Sequence, residues 1–235
     1  MQEKTLRPGE IIESLGKYQL KIIQNRNSYC FSVDSILLAQ FIKTKKREKV
    51  IDLGTGCGII PLLIYHPEKN NLIYGIEIQD DLVSLARRSI SLNNLAQEIF
   101  IIQEDINNLR EKFSGEYFDV ITVNPPYIPD GRGKSSSNSE QLIARHEINI
   151  NLDKILRISN YLLKKGGRFY FIHRADIFVP VIMALKKYSF EPKILQFIYT
   201  KKDREARRFL CEARKEGGTE LKVLTPIFLN DNKNK

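Results

Sequence analysis

Residues 49–64 read KVIDLGTGCGIIPLLI, an apolar strand-like segment that runs through three glycines into a second apolar segment. Gly54, Gly56 and Gly58 occupy alternate positions where the strand has to turn sharply into a helix. Glycine suits such a turn because it adopts positive φ and lets a ligand approach the backbone without a Cβ in the way. The stretch therefore predicts the first strand, turn and helix of a ligand-binding α/β fold.

The same alternation of short apolar runs and helix-period segments continues to residue 188. Strands separated by helices form βαβ units with right-handed crossovers, and hence a parallel sheet covered on both faces. Three further runs, PKILQFIYT, RRFLCEA and LKVLTPIFL, then follow one another through turn-rich connectors without a helix. We therefore predict an α/β fold of Rossmann-like class with a mostly parallel seven-stranded sheet, helices on both faces and an antiparallel C-terminal hairpin.

The length of 235 residues suits one large α/β domain with an extension. We predict an N-terminal extension over residues 1–48 that packs on a main domain over residues 49–230, with a polar tail over residues 231–235. In the extension, Ser32 to Asp34 are expected to cap a short apolar helix of sequence DSILLAQFI.

Composition excludes several classes of protein. Hydrophobic residues make up 42% and charged residues 28%, which is typical of a globular chain and not of a disordered or collagen-like one. The N-terminus lacks a signal-type apolar region and no run of 18 apolar residues occurs, so we expect a cytoplasmic protein without a membrane partner. The three cysteines and three histidines are scattered, which argues against a disulfide framework and against a metal site.

Acidic residues follow the next two predicted strands. Glu77 closes the second strand about twenty residues after the glycine turn, where such folds place the side chain that receives ribose hydroxyls. Asp105 follows the third strand, where it could accept a hydrogen bond from an adenine amino group or serve only as a helix N-cap. Ile59 stands where a dinucleotide fingerprint carries its third glycine, which favours a different adenosine-containing ligand.

A fourth strand, FDVITV (residues 118–123), runs straight into N-P-P-Y, formed by Asn124, Pro125, Pro126 and Tyr127. The prolines rigidify the turn and remove two N–H donors, which leaves the Asn124 side-chain oxygen and the Pro125 carbonyl as fixed acceptors. Two acceptors suit an NH2 group, because they favour a tetrahedral nitrogen and stabilise the positive charge that develops as it attacks. Tyr127 would stack on a planar base. The tetrapeptide could also be only a rigid turn.

These two motifs, D-x-G-x-G-x-G followed by N-P-P-Y, resemble those of class I S-adenosylmethionine-dependent methyltransferases of the amino-methylating branch. Within that branch, three flanking stretches resemble the bacterial tRNA(Val) adenine-N6 methyltransferases, which modify the purine 3′ to the anticodon. The stretches are FSVDSILLA (residues 31–39), ARHE (residues 144–147) and ARK (residues 213–215). The resemblance extends from residue 9 to residue 229, nearly the whole chain.

The resemblance implies a cofactor and a set of site residues. S-adenosyl-L-methionine would be bound at the strand ends and by the N-terminal helix, through Asp34, Asp52, Gly54, Gly56, Gly58, Glu77, Ile78, Asp105, Ile106 and Asn124. The N-P-P-Y residues would hold the target amino group. The implied reaction is methylation of the N6 amino group of an adenine in tRNA, at position 37 of a valine tRNA, by a metal-free monomer or weak dimer.

Basic residues are predicted to contact the RNA, because a net charge of +9 and a pI near 9.4 are enough to attract a polyanion. The candidates are Arg145, His146, Arg207, Arg208, Arg214 and Lys215. The last four lie among acidic residues, a pattern that a merely solvated surface also has. Residues 128–147 form a loop that is long for a compact domain, either a substrate-ordered lid or a disordered segment.

Three rival functions share part of this pattern. A protein glutamine methyltransferase acting on release factors also uses N-P-P-Y, since a glutamine amide presents the same NH2, but its expected helical N-terminal domain and P-R-x-E-T motif are missing here. An rRNA guanine-N2 methyltransferase usually has Phe where Tyr127 stands. A vestigial nucleic-acid-binding module would be expected to have lost the glycines or Asn124, and the chain retains both.

Overall fold

The computed structural model describes residues 6–26, 30–125 and 152–229. The strands are β1 (Glu10–Leu15), β2 (Leu20–Asn25), β3 (Lys49–Leu53), β4 (Leu72–Glu77), β5 (Ile99–Gln103), β6 (Phe118–Val123), β7 (Leu163–Arg174), β8 (Phe190–Tyr199), β9 (Ala206–Lys215), β10 (Lys222–Val223) and β11 (Ile227–Phe228). The helices are α1 (Val33–Phe41), α2 (Ile59–Ile64), α3 (Asp80–Leu92), α4 (Leu109–Lys112), α5 (residues 152–162) and α6 (Phe178–Lys187).

The main sheet has nine strands within the described residues, in the order β10-β8-β9-β7-β6-β3-β4-β5, with β11 also pairing with β8. Strands β3 to β7 are parallel, and β9 runs antiparallel between β7 and β8. The seven long strands, β3 to β9, therefore form a mostly parallel sheet that ends in an antiparallel hairpin. This confirms the predicted Rossmann-like α/β fold.

The last apolar run, LKVLTPIFL, departs from the prediction of an antiparallel finish. It contributes only the two-residue strands β10 and β11, and both pair parallel to β8. Pro226 stands between them, and a proline has no N–H to donate to a neighbouring strand. The run therefore follows the outer side of β8 in two short pieces.

Hydrophobic side chains fill both sides of the main sheet in two separate clusters. Because successive side chains of a strand point to opposite faces, Leu210 of β9 belongs to one cluster, whereas Phe209 and Cys211 belong to the other. The first cluster includes residues of α1, α2 and α3, and the second includes residues of α5 and α6. The sheet is thus covered by helices on both faces, as the alternation of strands and helices predicts.

The N-terminal segment forms a two-stranded hairpin, β1 and β2, that the sequence did not predict. Polar side chains of α3 bind it. Ile23 donates its N–H to the Ser89 hydroxyl at 2.9 Å, and Arg88 pairs with both carboxylate oxygens of Glu10 at 2.8 Å. These bonds were hidden from the sequence because the partners lie 66 and 78 residues apart along the chain.

Candidate functional site

The carboxyl-terminal ends of β5, β4, β3 and β6 lie side by side along one side of the main sheet, here called the carboxyl edge. In that order the strands are followed by Asp105, Glu77, Gly54 and Asn124. Because neighbouring strands lie about 4.8 Å apart, the four positions span about 14 Å. The structure therefore brings the predicted positions to one edge. Strand β7 and the start of β9 continue this edge beyond β6.

The glycine turn after β3 has the backbone that its residues require. Gly54, Gly56 and Gly58 all have positive φ, of 71°, 57° and 83°. A Cβ added at Gly54 would meet no atom within 4 Å, whereas one at Gly58 would come within 3.2 Å of the Cβ of Ala86 in α3. Gly54 thus leaves open space at the edge, and Gly58 lets the turn pack against a helix.

Glu77 ties this turn to the end of β4. Its carboxylate accepts the backbone N–H groups of Gly56, Ile78 and Gln79, each at 3.0 Å, and the residue is only 6% exposed. A carboxylate accepts about four hydrogen bonds, so most of this capacity is already used in shaping the turn. Ribose binding by Glu77 stays a prediction.

Asp52 lies inside the sheet. Its side chain is fully buried and accepts the Thr122 hydroxyl of β6 at 2.6 Å. Its second oxygen, Oδ2, and the Thr55 hydroxyl are buried without a hydrogen-bond partner among the described residues. Burial raises the pKa of Asp52 to about 7, against the lowering effect of the Thr122 hydroxyl. No part of this side chain is exposed, and its predicted role in binding the cofactor stays a prediction.

The other predicted cofactor residues lie on the β4 and β5 side of the carboxyl edge. Asp105 is an N-cap, and its Oδ1 accepts the N–H of Asn107 at 2.8 Å. Ile106 follows it and is half-buried. Ile78 is 58% exposed directly after Glu77, so an apolar side chain is presented to solvent beside a carboxylate. The cap explains Asp105 structurally, and its predicted contact with adenine stays a prediction.

Asn124 follows β6 in the middle of the carboxyl edge and is half-buried. Its Nδ2 donates to the hydroxyl of Ser35 in α1 at 2.9 Å. Ser35 is itself only 3% exposed. Pro125 is also described, but the predicted site residues Pro126, Tyr127, Arg145 and His146, and the predicted lid at 128–147, lie outside the described residues.

Asp34, in the first turn of α1, forms an ion pair, and its predicted contact with the cofactor stays a prediction. Ser32 is the N-cap of α1 and makes no side-chain cap bond. Asp34 Oδ2 accepts from Nε of Arg208 at 3.1 Å, and both side chains are largely buried. This pair joins the first turn of α1 to the start of β9. Arg208 thus has a protein partner where a phosphate contact was predicted.

A basic cavity of about 810 Å³ lies at the far end of the carboxyl edge, where β7 ends and β9 begins. Five basic and three acidic side chains line it. Arg174 is neutralised by Asp176, through bonds of 3.0 and 2.6 Å. Lys201, Arg204 and Arg207 supply most of the remaining positive charge. Arg207 is exposed, as a phosphate contact requires, and its role stays a prediction.

Arg214 and Lys215 lie at the opposite end of β9, at what we call the amino edge of the sheet. The six residue steps from Arg208 to Arg214 span about 20 Å of strand. In the strand register Arg214 lies opposite Arg168 of β7, six positions from the Arg174–Arg208 pair at the carboxyl edge. The ammonium of Lys215 is buried and donates to the Leu163 carbonyl at 2.9 Å and to Glu116 at 3.1 Å. Lys215 therefore has protein partners in this structure, and its predicted RNA contact stays a prediction.

Comparison with known proteins agrees with this architecture. The family model described as "Methyltransferase domain" matches residues 44–204, which include the glycine turn, Glu77 and Asn124. The chain belongs to this methyltransferase family. It is an S-adenosylmethionine-dependent methyltransferase, and the resemblance inferred from its two motifs is confirmed.

Curated relatives are more specific. A tRNA1(Val) (adenine(37)-N6)-methyltransferase of Phocaeicola vulgatus is 29% identical over 192 residues, 82% of this chain and 80% of that protein. A protein of the same name from Bacteroides thetaiotaomicron is 26% identical over 201 residues, 84% of this chain and 76% of that one.

Solved structures share the fold. A predicted O-methyltransferase from Agrobacterium tumefaciens superimposes with a TM-score of 0.67 at 20% identity, over 86% of this chain and 90% of that one. The P. horikoshii TYW2 protein in complex with MeSAdo gives 0.60 at 12% identity, over 90% and 73% of the two chains.

The residues at the β3 and β4 ends fit an adenosine-containing sulfonium cofactor. The open space at Gly54 admits a ligand, and Ile78 offers an exposed apolar surface beside the Glu77 carboxylate. In the described part of the chain, no group of three or more His, Cys, Asp or Glu side chains is arranged to hold a metal ion. No helix formed by those residues is long and apolar enough to cross a membrane.

Three residues of the site were not predicted. Ser35 lies one position after Asp34 in the FSVDS stretch, which was interpreted as a helix cap and, through Asp34, as a cofactor contact. Thr122 is two residues before Asn124. A polar threonine within an otherwise apolar strand was the sequence signal that could have indicated it. Gly75 accommodates Thr55, whose side-chain atoms would lie 2.9 and 3.0 Å from a Cβ at that position. No sequence signal pointed to this close approach.

Proposed function

We propose that the protein methylates the N6 amino group of an adenine in tRNA, the purine 3′ to the anticodon at position 37 of a valine tRNA. The observation that carries the proposal is the position of Asn124 on the carboxyl edge. Asn124 lies between the glycine turn of β3 on one side and the basic cavity after β7 on the other. The names of the curated relatives support the same reaction.

Adenine N6 is a poor nucleophile because its lone pair is conjugated with the ring. The Asn124 side-chain oxygen and the Pro125 carbonyl would accept its two hydrogens, which favours a tetrahedral nitrogen and stabilises the positive charge that develops on it. The cofactor supplies an electrophilic methyl group on its sulfonium. The methylated nitrogen then loses a proton, so no general base is needed to begin the transfer. Tyr127 would hold the ring by stacking.

Cofactor binding is assigned to the β3, β4 and β5 ends. The backbone at Gly54 and Gly56, the carboxylate of Glu77 and the side chain of Ile78 would hold S-adenosyl-L-methionine, with Asp105 and Ile106 at the adenine end. Gly58 would act indirectly, by letting the turn pack on α3.

The RNA would lie over the other half of the edge. A net charge of +9 favours binding of a polyanion. The basic cavity lies at the end of β7 and the start of β9, the two strands that follow β6 and Asn124 in the sheet order. A base in the anticodon loop is accessible to such a site, because it does not have to leave a base pair. This substrate would place the protein in the cytoplasm, and the prediction of a monomer or weak dimer stays a prediction.

The test is methyl transfer to a synthetic anticodon stem-loop. We expect labelled methyl to enter the RNA when the purine 3′ to the anticodon is adenine, and not when it is guanine. Nucleoside mass spectrometry should identify the product as N6-methyladenosine, and the same nucleoside should disappear from tRNA of a strain that lacks the gene. Labelling of a release-factor glutamine, with no labelling of RNA, would refute the proposal in favour of the glutamine methyltransferase.

A further inference from the structure

Ser35 contacts the central residue of the site from a distant part of the chain. It belongs to the first turn of α1, and its hydroxyl lies 2.9 Å from Nδ2 of Asn124, 89 residues further along the sequence. With 3% exposure, Ser35 is shielded from solvent. The contact is therefore between a buried hydroxyl and a side chain at the surface of the carboxyl edge.

A carboxamide is planar and carries its donor, Nδ2, and its acceptor, Oδ1, on the two sides of the Cβ–Cγ bond. The hydrogen bond from Nδ2 to the Ser35 hydroxyl ties one side of this group to α1. A side chain that is tied in this way is less free to rotate, as a preorganised site requires. We propose that Ser35 is a positioning residue that holds the Asn124 side chain in place at the carboxyl edge, where it meets the target amino group. This inference rests on the proposed amino-group substrate.

The helix that carries Ser35 is itself held in place on both sides. Before α1, the N–H of Phe31 donates to the side-chain oxygen of Gln24 in the N-terminal hairpin at 3.0 Å. Within its first turn, Asp34 pairs with Arg208 of β9 at 3.1 Å. Leu38 further along α1 is fully buried in the core. A supporting residue on a fixed element holds its partner more closely than one on a loop, so the hydroxyl can hold the Asn124 amide in place.

The first test replaces Ser35 by alanine and compares it with Ser32→Ala. Ser32 belongs to the same segment, is exposed and makes no side-chain cap bond, so it controls for the loss of a hydroxyl at the start of α1. We expect Ser35→Ala to lower the single-turnover rate of methyl transfer about ten-fold, the order expected for losing one hydrogen bond. Dissociation constants for cofactor and RNA should not change, and Ser32→Ala should keep the wild-type rate. A wild-type rate in Ser35→Ala overturns the proposal.

A double-mutant cycle separates positioning from general damage to the fold. If Ser35 acts through Asn124, adding Ser35→Ala to Asn124→Ala should cause no further loss of rate. If the two losses multiply, Ser35 acts independently of Asn124 and the proposal is wrong.

A third measurement needs no RNA. The side-chain amide of Asn124, observed by nitrogen-15 NMR, should change its two proton shifts in Ser35→Ala and not in Ser32→Ala. Unchanged amide signals in Ser35→Ala would overturn the positioning role. A perturbed amide in a protein that methylates no adenine would leave the positioning role intact and refute the proposed function, so the two failures can be told apart.

Discussion

Strand β9 joins two regions of the molecule that use charged residues differently. At the carboxyl edge it begins with Arg207, which lines the basic cavity, and at the amino edge it ends with Lys215, which is buried. Both belong to the same strand and to the same basic stretch of sequence. Two basic residues of one strand thus differ in burial and in partners because they lie at opposite edges of the sheet.

At the amino edge, buried charges have protein partners. Arg168 is bonded to both oxygens of Glu48 at 2.5 Å, and the two side chains are 10% and 13% exposed. Two residues further along β7, level with Thr122 of β6, Tyr170 donates its hydroxyl to Glu212 at 2.8 Å. Burial and the neighbouring Glu212 charge raise the pKa of Tyr170, so its hydroxyl stays protonated and acts as a donor.

At the carboxyl edge, by contrast, polar groups border open space. The glycine turn, Asn124 and the basic cavity lie there, where a ligand can reach them. Substitutions at the two edges should therefore affect different measurements.

The largest effect is expected for Asn124→Ala. Losing one preorganised group that binds the developing charge costs on the order of 10²–10³ in turnover, roughly 3–4 kcal/mol. Cofactor affinity should stay near the wild-type value, and single-turnover assays with titration calorimetry measure both. Asn71→Ala is the matched change at the amino edge, where Asn71 accepts the N–H of Glu48. Equal losses of turnover in the two variants would remove the distinction between the edges.

The next effect concerns stability at the amino edge. Arg168→Met leaves the Glu48 carboxylate largely buried without its partner, which typically costs about 3 kcal/mol of unfolding free energy. Chemical denaturation should show this loss, while cofactor affinity of the folded protein is retained. Replacing Glu48 by Met as well should recover part of the stability. If the double variant were less stable than the single one, the ion pair would not be the cause.

Asp52 predicts a smaller, pH-dependent effect. The pKa of Asp52 is raised from 3.8 to about 7 in the folded protein. Protonated Asp52 therefore contributes its full share of the unfolding free energy below pH 3.8, and this share is lost as pH rises through 7. Between pH 6 and 8 this amounts to about 1 kcal/mol. Asp52→Asn cannot ionise and should remove that part of the pH dependence. Denaturant unfolding of both proteins at pH 6 and pH 8 is the test. An equal change of unfolding free energy between the two pH values in both proteins would contradict the raised pKa of Asp52.

The smallest effect compares the two ends of β9. Arg207→Gln should weaken tRNA binding about three- to ten-fold and lower the salt dependence of binding by about one counterion, as expected for one phosphate contact. Arg214→Gln removes the same charge from the same strand at the amino edge and should have much less effect. Fluorescence titrations at two salt concentrations distinguish them. If Arg214→Gln weakened tRNA binding more than Arg207→Gln, the RNA would bind at the amino edge and the proposed RNA surface would be wrong.

Much of the molecule could be predicted from local patterns. The glycine turn requires positive φ, and the strand-to-helix alternation requires a parallel sheet, so both follow from residues close together in sequence. The position of Asn124 at a strand end follows for the same reason. The N-terminal hairpin could not be predicted, because its stability depends on Arg88 and Ser89, which lie far along the chain on α3.

The sequence by itself determined the fold, the family and the line of residues along the carboxyl edge, because hydrophobic period, glycine and proline act locally. Only the tertiary structure decided the partners of individual side chains. It buried Asp52, paired Asp34 with Arg208 and Ser35 with Asn124, and separated Arg207 from Lys215. Charge and residue type are the same in every environment, whereas burial and pairing depend on which distant segments the fold brings together.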